Sequence, residues 1–287
     1  MRKHNKSNSK RRYLTITSIV ILLLIILLYS WTQHKNSIST AKPDPTMAPI
    51  IMIPGSDADN NVLDGLINNV NNRYKEHHDV LKVTVSTDNH LSYSGHISSK
   101  EKNPYIVVGF ENNQDGLENV KKQTAWFNIA FNDLQQKYHF KTFNAFGHSN
   151  GSLIWTYFLE DYFQKYQRVQ IKHLMTVGAP YNFEEKSHSE RTEMLDQLIK
   201  NKANLPKSLS YYSIAGTEQY TDDGIVPLSS VDAGKFIYQD QIKHYMFITL
   251  TGSNAQHSDM LTNPQFITLF HQFIIKSSEK MAKSTKK

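Results

Sequence analysis

The segment that most constrains the fold is the pentapeptide GHSNG at residues 147–151, which lies between a strand-like run and a helix-like run. Residues 142–146 (TFNAF) precede it, and the amphipathic run 152–166 follows it. Small residues two positions on either side of a serine suit a tight turn from a strand into a helix, because they keep the two elements from colliding. The pattern therefore predicts that Ser149 lies at the tip of such a turn, at the carboxyl end of a strand.

Along the rest of the chain, short β-rich runs alternate with amphipathic runs. This alternation predicts βαβ units, and therefore a mostly parallel sheet flanked by helices. We expect one α/β domain over residues 48–276, which is roughly 230 residues and a usual length for such a unit. The strands are predicted at residues 49–53, 81–86, 105–110, 142–146, 172–177, 211–215 and 245–250, and the helices at 62–74, 123–138, 152–166, 190–200 and 266–275.

The amino-terminal segment has the pattern of a membrane anchor. Residues 1–12 hold six Arg and Lys residues and no acid, and residues 14–31 form an uncharged, mostly apolar run. A helix of that length rises about 27 Å, close to the hydrocarbon thickness of a bilayer. Because basic flanks stay in the cytoplasm, we expect a cytoplasmic head, a transmembrane signal-anchor over 13–31, a linker over 32–47 and an extracytoplasmic domain. A weak cleavage site at residues 39–41 leaves secretion as the alternative.

The net charge of +6 comes from the ends of the chain. The basic head supplies six positive charges, and a basic tail over residues 277–287 adds more. The domain between them is slightly acidic, so we expect no nucleic-acid partner.

Cofactor and metal motifs are missing from the sequence. There is no cysteine, which excludes disulfides, thiolate zinc sites and a cysteine nucleophile. The chain lacks a P-loop, a GxGxxG motif and a His-Glu-x-x-His motif, and the adjacent His77, His78 and Asp79 lack the helical spacing of metal ligands. We therefore expect neither a cofactor nor a metal.

Ser149 is the candidate nucleophile, because G-x-S-x-G at a strand-to-helix turn exposes the serine hydroxyl. The backbone N–H of Asn150 would form half of an oxyanion hole, and the Asn150 side chain should not matter there. The second N–H should come from the loop after strand 49–53, with Ser56 as first choice and Gly55 as second. The alternatives are a glycine-rich turn with a helix-capping serine and an ordinary Pro-Gly turn.

An acid and a base follow two later strands. Asp223, with Asp222 as the alternative, lies in the loop after the sixth predicted strand, and His257 lies in the loop after the seventh. Asp223 would orient His257, which would take the proton from Ser149. The chain order Ser, Asp, His and the place of each residue after a strand predict that all three meet at the carboxyl edge of the sheet. A solvated Asp-Gly turn and a surface histidine are the alternatives.

The segments GHSNGS, VGAPYN, NLPKSLSYYSIAGT, DDGIVP and NAQHSDML resemble the uncharacterised cell-surface α/β-hydrolases of low-GC Gram-positive bacteria, a family grouped as a domain of unknown function. The resemblance runs over about residues 50–273 and implies the α/β-hydrolase fold with the catalytic triad named above. It implies no natural substrate. The chain departs from the wider superfamily in two places, with Pro54–Gly55 where many relatives carry His-Gly and Asn150 where many carry Met or Gln.

These observations predict a serine hydrolase that acts on carboxylic esters through an acyl-enzyme intermediate. The substrate would be a small acyl-ester or lipid-like molecule, and residues 182–206 are long enough to form a small cap over the site. Amidase or acyltransferase chemistry uses the same residues. A surface binding protein that keeps the fold without catalysis is the alternative from another class. The sequence leaves the oligomeric state open.

Overall fold

The computed structural model describes residues 17, 20–25 and 46–284, and side chains as far as residue 280. The chain divides into two compact units, Met1–Thr40 and Ala41–Lys287. Residues 20–25 are helical, but the rest of the predicted anchor, the basic head and most of the linker lie outside the described residues. In the part of the chain that is described, no helix is both long enough and apolar enough to cross a membrane.

The strands of the larger unit form one sheet, and all but one pair of neighbours run parallel. The strands are β1 (Ile50–Ile53), β2 (Val80–Val85), β3 (Leu91–Gly95), β4 (Tyr105–Phe110), β5 (Thr142–His148), β6 (Gln170–Val177), β7 (Ser210–Thr217) and β8 (His244–Thr251). Their order across the sheet is β3-β2-β4-β1-β5-β6-β7-β8. Only β2 and β3 pair antiparallel. The expectation of a mostly parallel sheet is confirmed.

Helices cover both faces of the sheet. They are α1 (Asp64–Tyr74), α2 (Leu117–Tyr138), α3 (Asn150–Asp161), α4 (Glu193–Asn201), α5 (Leu228–Asp232), α6 (Gly234–Tyr238), α7 (Pro264–Phe270) and α8 (Lys276–Ser284), with a π-helical turn at His271–Ile275 between the last two. Buried residues of α2, α3, α4 and α6 belong to one core cluster, and those of α1 and α7 to another. The sheet therefore lies between two apolar layers.

The central strand β1 shows how both layers form from one sequence. Ile51 and Ile53 belong to the cluster under α2 and α3, whereas Ile50 and Met52 belong to the cluster under α1 and α7. Successive side chains of a strand point to opposite faces, so a continuous apolar run is what a strand needs when both of its faces are buried.

Several elements differ from the sequence-based predictions, and the short helices α5 and α6 were not predicted at all. The strand β3 was not predicted, because its residues LSYSG are half polar and lie at least partly exposed at the sheet edge. The helix α2 begins at Leu117 rather than at residue 123. Its first turns were not predicted, because Val120 is the only buried residue in the first six positions. The last predicted helix is interrupted at His271–Ile275 and continues as α8.

The carboxyl-terminal helix α8 packs against the sheet beyond the expected domain end at residue 276. Ser278 is fully buried and accepts a hydrogen bond from Asn103 Nδ2 at 2.9 Å. Ser277 Oγ accepts one from Asn144 Nδ2 at 2.7 Å. The start of the predicted tail therefore contacts residues that precede or begin β4 and β5.

Glu160, in the last turn of α3, is a buried carboxyl without a partner. Its exposure is 1%, and neither carboxyl oxygen has a hydrogen-bond partner among the described residues. Burial, and after it the nearby charge of Asp161, raises the pKa of Glu160 to about 9. At neutral pH the carboxyl is therefore protonated, because an unpaired buried carboxylate is too costly.

This pKa predicts how stability depends on pH. The unfolded chain releases the Glu160 proton near pH 4.5, whereas the folded chain holds it until about pH 9, so stability should fall as pH rises between these values. Glu160→Gln removes this loss and should raise the free energy of unfolding at pH 7 by roughly 2–3 kcal/mol. Urea unfolding at pH 5, 7 and 9 measures the change, with the exposed Glu218→Gln as control. An unaltered pH slope in Glu160→Gln would contradict the assignment.

Candidate active site

Ser149 forms a one-residue turn between β5 and α3. Its backbone angles are φ 51° and ψ −127°, a conformation that L-residues rarely adopt. The Ser149 N–H donates to Val177 O at 2.9 Å, and Ser149 O accepts from the Ser152 N–H at 2.9 Å. The serine is thus held at the carboxyl end of β5, between β6 on one side and the first turn of α3 on the other.

The two glycines of the pentapeptide allow this turn to pack. A Cβ on Gly151 would lie 2.2 Å from Ile53 O, and a Cβ on Gly147 would lie 2.8 Å from Ser152 Cα. Neither distance leaves room for a side chain, and the atoms involved belong to the backbone. The small residues two positions on either side of Ser149 are therefore required by the close approach of α3 to β1 and β5.

Asp223 and His257 form a buried pair beside this turn. His257 Nδ1 lies 2.7 Å from Asp223 Oδ2, and the two side chains are 7% and 2% exposed. The backbone also joins them, because the His257 N–H donates to Asp223 O at 2.8 Å. Asp223 Oδ1 accepts from the N–H groups of Ile225 and Val226 at 3.1 and 2.7 Å. The carboxylate thus has three donors, which orient it and stabilise its charge.

Asp222, the alternative acid, turns away from the histidine. Its Oδ1 accepts from the Gly224 N–H at 3.0 Å, and its Oδ2 accepts from Thr221 Oγ1 at 3.0 Å. These bonds stabilise its own turn, so of the two acids only Asp223 contacts His257.

The proposed oxyanion loop lies next to Ser149. A Cβ on Gly55 would lie 2.9 Å from Ser149 Cβ, so the loop passes as close to the serine as the backbone allows. Asn150 Nδ2 donates to Ser56 Oγ at 2.7 Å and to Asp115 Oδ1 at 2.9 Å. The Asn150 side chain thus connects the loop to the helix that begins after the serine, a contact that the sequence did not predict.

Two further residues at the site were not found from the sequence. His148 is buried, and its Nε2 lies 3.1 Å from His257 O, so it donates to that carbonyl and supports the His257 backbone. Burial, followed by the charge of His257, lowers the pKa of His148 to about 4. Gly178 has φ 60°, and a Cβ there would lie 2.8 Å from His257 Cε1. The motif VGAPYN contained the glycine, but only the fold shows what it faces.

A cavity of about 1250 Å³ opens over Ser149 and His257. Ser56 and Asn150 also line it, and Phe183, Glu184, Glu185 and Thr192 contribute from the segment expected to form a cap. Five carboxylate side chains line the cavity and no Lys or Arg does; the acids are Asp57, Asp59, Asp115, Glu184 and Glu185. The serine, the histidine and the two candidate oxyanion residues thus share one acidic opening.

A serine turn after the fifth strand, an acid after the seventh and a histidine after the eighth form the arrangement that is typical of the α/β-hydrolase class. The chain belongs to the family described as alpha/beta hydrolase of unknown function (DUF915), whose sequence profile matches residues 37–277. The resemblance drawn from the sequence is thereby confirmed. No curated protein matches the chain in sequence.

Solved structures show the same fold. A protein from Lactobacillus plantarum that is provisionally named a cell surface hydrolase is 46% identical, with a TM-score of 0.75, over 84% of this chain and 98% of that one. A gene product of Listeria innocua is 29% identical, with a TM-score of 0.73, over 79% and 93% of the two chains. A phospholipase from Legionella pneumophila is 13% identical, with a TM-score of 0.50, over 83% and 62%. This last likeness concerns the fold alone.

The backbone at Ser149 yields a prediction that does not depend on activity. Both Ser149→Gly and Ser149→Ala remove the hydroxyl, but only glycine relieves the strain of the positive φ. We expect Ser149→Gly to be the more stable of the two by about 1 kcal/mol in denaturant unfolding. At Ser152, inside α3, the same pair of substitutions should rank in the opposite order. Greater stability of Ser149→Ala would contradict the strained turn.

Proposed function

We propose that the protein is a serine hydrolase that cleaves carboxylic esters with Ser149 as nucleophile, His257 as base and Asp223 as the acid that orients it. The observation that best supports this is the buried His257–Asp223 contact of 2.7 Å, with His257 and Ser149 lining the same cavity. A buried histidine–carboxylate pair beside a serine is the arrangement in which the histidine can act as a general base.

The hydrogen bond between His257 and Asp223 determines which nitrogen of His257 acts as the base. The Nδ1 of His257 donates to Asp223, so Nε2 is the atom that takes the proton from the Ser149 hydroxyl as its oxygen attacks the acyl carbon. The backbone N–H groups of Asn150 and Ser56 would stabilise the negative oxygen of the tetrahedral intermediate. The protonated histidine then donates its proton to the leaving alcohol. Water attacks the acyl-enzyme in a second round, and the acid product and free Ser149 are formed.

The neutral state of His148 suits this mechanism. A second imidazolium beside His257 would oppose the positive charge that His257 acquires during each step. The low pKa of His148, caused first by burial, keeps its ring uncharged at neutral pH. His148 can therefore support the His257 backbone without raising the energy of the protonated base.

The location proposed for this activity is the outer face of the cell membrane. We propose that residues 13–31 anchor the chain, with residues 1–12 in the cytoplasm, a linker over 32–47 and the domain outside. The uncharged run behind a basic head supports this. The name of the Lactobacillus plantarum relative, a cell surface hydrolase 46% identical to this chain, agrees with it.

The triad is tested with two neighbouring acids. Asp223→Asn should lower kcat/KM for p-nitrophenyl butyrate by roughly 10³–10⁴-fold, because the amide no longer holds the histidine in its working form. Asp222→Asn should leave the value within a few-fold of the wild type. A fluorophosphonate should label Ser149 in the purified full chain, and labelling should slow in parallel in Asp223→Asn.

Three outcomes would count against these proposals. If Asp223→Asn and Asp222→Asn had equal kcat/KM, Asp223 would not be the acid of the triad. A folded chain that the probe does not label at all would favour a binding protein without catalysis. If the purified chain is labelled but a membrane-impermeant form of the probe fails to label it on intact cells, the extracytoplasmic location is wrong.

The acidic cavity predicts which esters react fastest. With five carboxylates and no Lys or Arg in its lining, the cavity should attract cationic substrates and repel anionic ones. We expect kcat/KM at low salt to be about fivefold higher for an ester with a quaternary ammonium group than for a matched ester with a carboxylate, and the ratio to fall as salt is added. Glu184→Gln combined with Glu185→Gln should shrink the ratio, whereas Glu218→Gln outside the cavity should not. A higher kcat/KM for the anionic ester would contradict the predicted effect of the five carboxylates.

A further inference from the structure

A cluster of metal-ligating side chains lies at the amino edge of the sheet, opposite the edge that carries Ser149. Glu76 and His78 lie between α1 and β2, and Glu279 lies on α8. One carboxylate oxygen from each glutamate and one ring nitrogen of the histidine lie within 4.8 Å of one another. No local sequence motif marks this cluster, because the third residue is supplied by the opposite end of the domain.

The histidine of this cluster is oriented by a carboxylate. His78 Nδ1 lies 3.4 Å from Glu101 Oε1. Glu101 is itself fixed, because Oε1 accepts from the Asn103 N–H at 2.8 Å and Oε2 from the Asp79 N–H at 3.1 Å. Histidines that bind metals commonly donate their other ring nitrogen to a carboxylate in this way. The arrangement leaves His78 Nε2 as the nitrogen available to a ligand.

The two glutamates are also held in place. Both oxygens of Glu76 lie within hydrogen-bond distance of His271 Nε2, at 3.0 and 3.1 Å. The ring of His271 stacks on Tyr74 with centroids 3.4 Å apart, so this partner is itself fixed. Glu279 follows directly after Ser278, whose burial holds that turn of α8 against the sheet. Each carboxylate therefore comes from a segment whose position is fixed by other contacts.

Two buried polar atoms beside the cluster have no partner among the described residues. One is His78 Nε2, and the other is the hydroxyl of Tyr105, a residue with 0% exposure. The rings of His78 and Tyr105 pack edge to face with centroids 5.6 Å apart. Burial, and after it the negative charges of Glu76, Glu101 and Glu279, raises the pKa of Tyr105. Unsatisfied buried groups cost stability, and one of the two belongs to His78, a member of the cluster.

We propose that Glu76, His78 and Glu279 bind one zinc ion, which clamps α8 to the loop between α1 and β2. An imidazole nitrogen with two carboxylate oxygens is a donor set that suits zinc and does not suit calcium or magnesium. Ligands of tetrahedral zinc lie about 3.4 Å apart, so side-chain shifts of about 1 Å bring these atoms to bonding distance. A bound water would complete the coordination and can hydrogen-bond with the Tyr105 hydroxyl.

The role of this ion is structural. It joins segments at the amino ends of the strands, whereas Ser149 and His257 lie at the carboxyl ends. Removing zinc should therefore lower stability and leave fluorophosphonate labelling of Ser149 unchanged under conditions where the protein stays folded. Because zinc takes no part in the labelling of Ser149, the zinc site and the proposed ester hydrolysis are tested independently, and each can fail without the other.

Calorimetric titration of zinc chloride into the chelator-treated full chain, paired with thermal unfolding, tests the site. We expect one zinc per chain and a higher Tm with zinc. Glu279→Gln and His78→Ala should each weaken binding at least tenfold. The exposed neighbour His77→Ala is the matched control and should bind like the wild type. Glu279→Gln lies on a surface helix, so it tests the site even where His78→Ala does not fold.

Two results would overturn the zinc site. One is a Tm that does not change with zinc in the wild-type chain, in which case the three residues form only an ion-pair cluster with His271 and Glu101. The other is tight binding that survives in both Glu279→Gln and His78→Ala, which would assign the zinc to other histidines.

Discussion

The arrangement of the site depends on the strained turn at Ser149. Its positive φ lets the chain pass from β5 into α3 within a single residue, which brings α3 against the end of β1. Gly151 faces Ile53 O at a distance that excludes any side chain, and a Cβ on Gly55 would lie 2.9 Å from Ser149 Cβ. Because one crowded junction positions both the Ser149 hydroxyl and the neighbouring loop, a change that relaxes the turn would move the serine and the proposed oxyanion donors together.

Burial of Asp223 determines how the acid and the histidine of the site are oriented. Asp223 is nearly excluded from solvent, so its carboxylate must be stabilised by donors of the protein, and it has two backbone N–H groups and His257 Nδ1. Each donor comes from the loops after β7 and β8. The acid therefore orients the histidine only if both loops are in place, and Gly178 after β6 leaves the space that the ring needs. Three adjacent strand ends thus define one imidazole orientation.

Much of this could be predicted because it follows from local sequence. Apolar runs placed the strands, and polar residues directly after them, Ser149 among them, predicted which side chains share an edge. What could not be predicted comes from contacts between segments far apart in the chain. The Asn150 side chain contacts Asp115, and a ring nitrogen of His78 lies within 4.8 Å of a Glu279 carboxylate oxygen, through packing that no local pattern encodes. The choice between Asp222 and Asp223 likewise needed the turn geometry, since both acids occupy the same loop.

The polar side chains at the two edges of the parallel sheet have different roles. At the carboxyl edge, polar side chains with unusual geometry face an open acidic cavity and contribute strain and burial costs. At the amino edge, Asn103 and Asn144 hold Ser278 and Ser277 of α8 against the starts of the central strands. Those strands include β5, which carries Ser149 at its other end. Polar anchoring at the amino edge therefore restrains the strand that leads into the strained turn, and a cation bound at Glu279, the next residue of α8 after Ser278, would reinforce the same restraint.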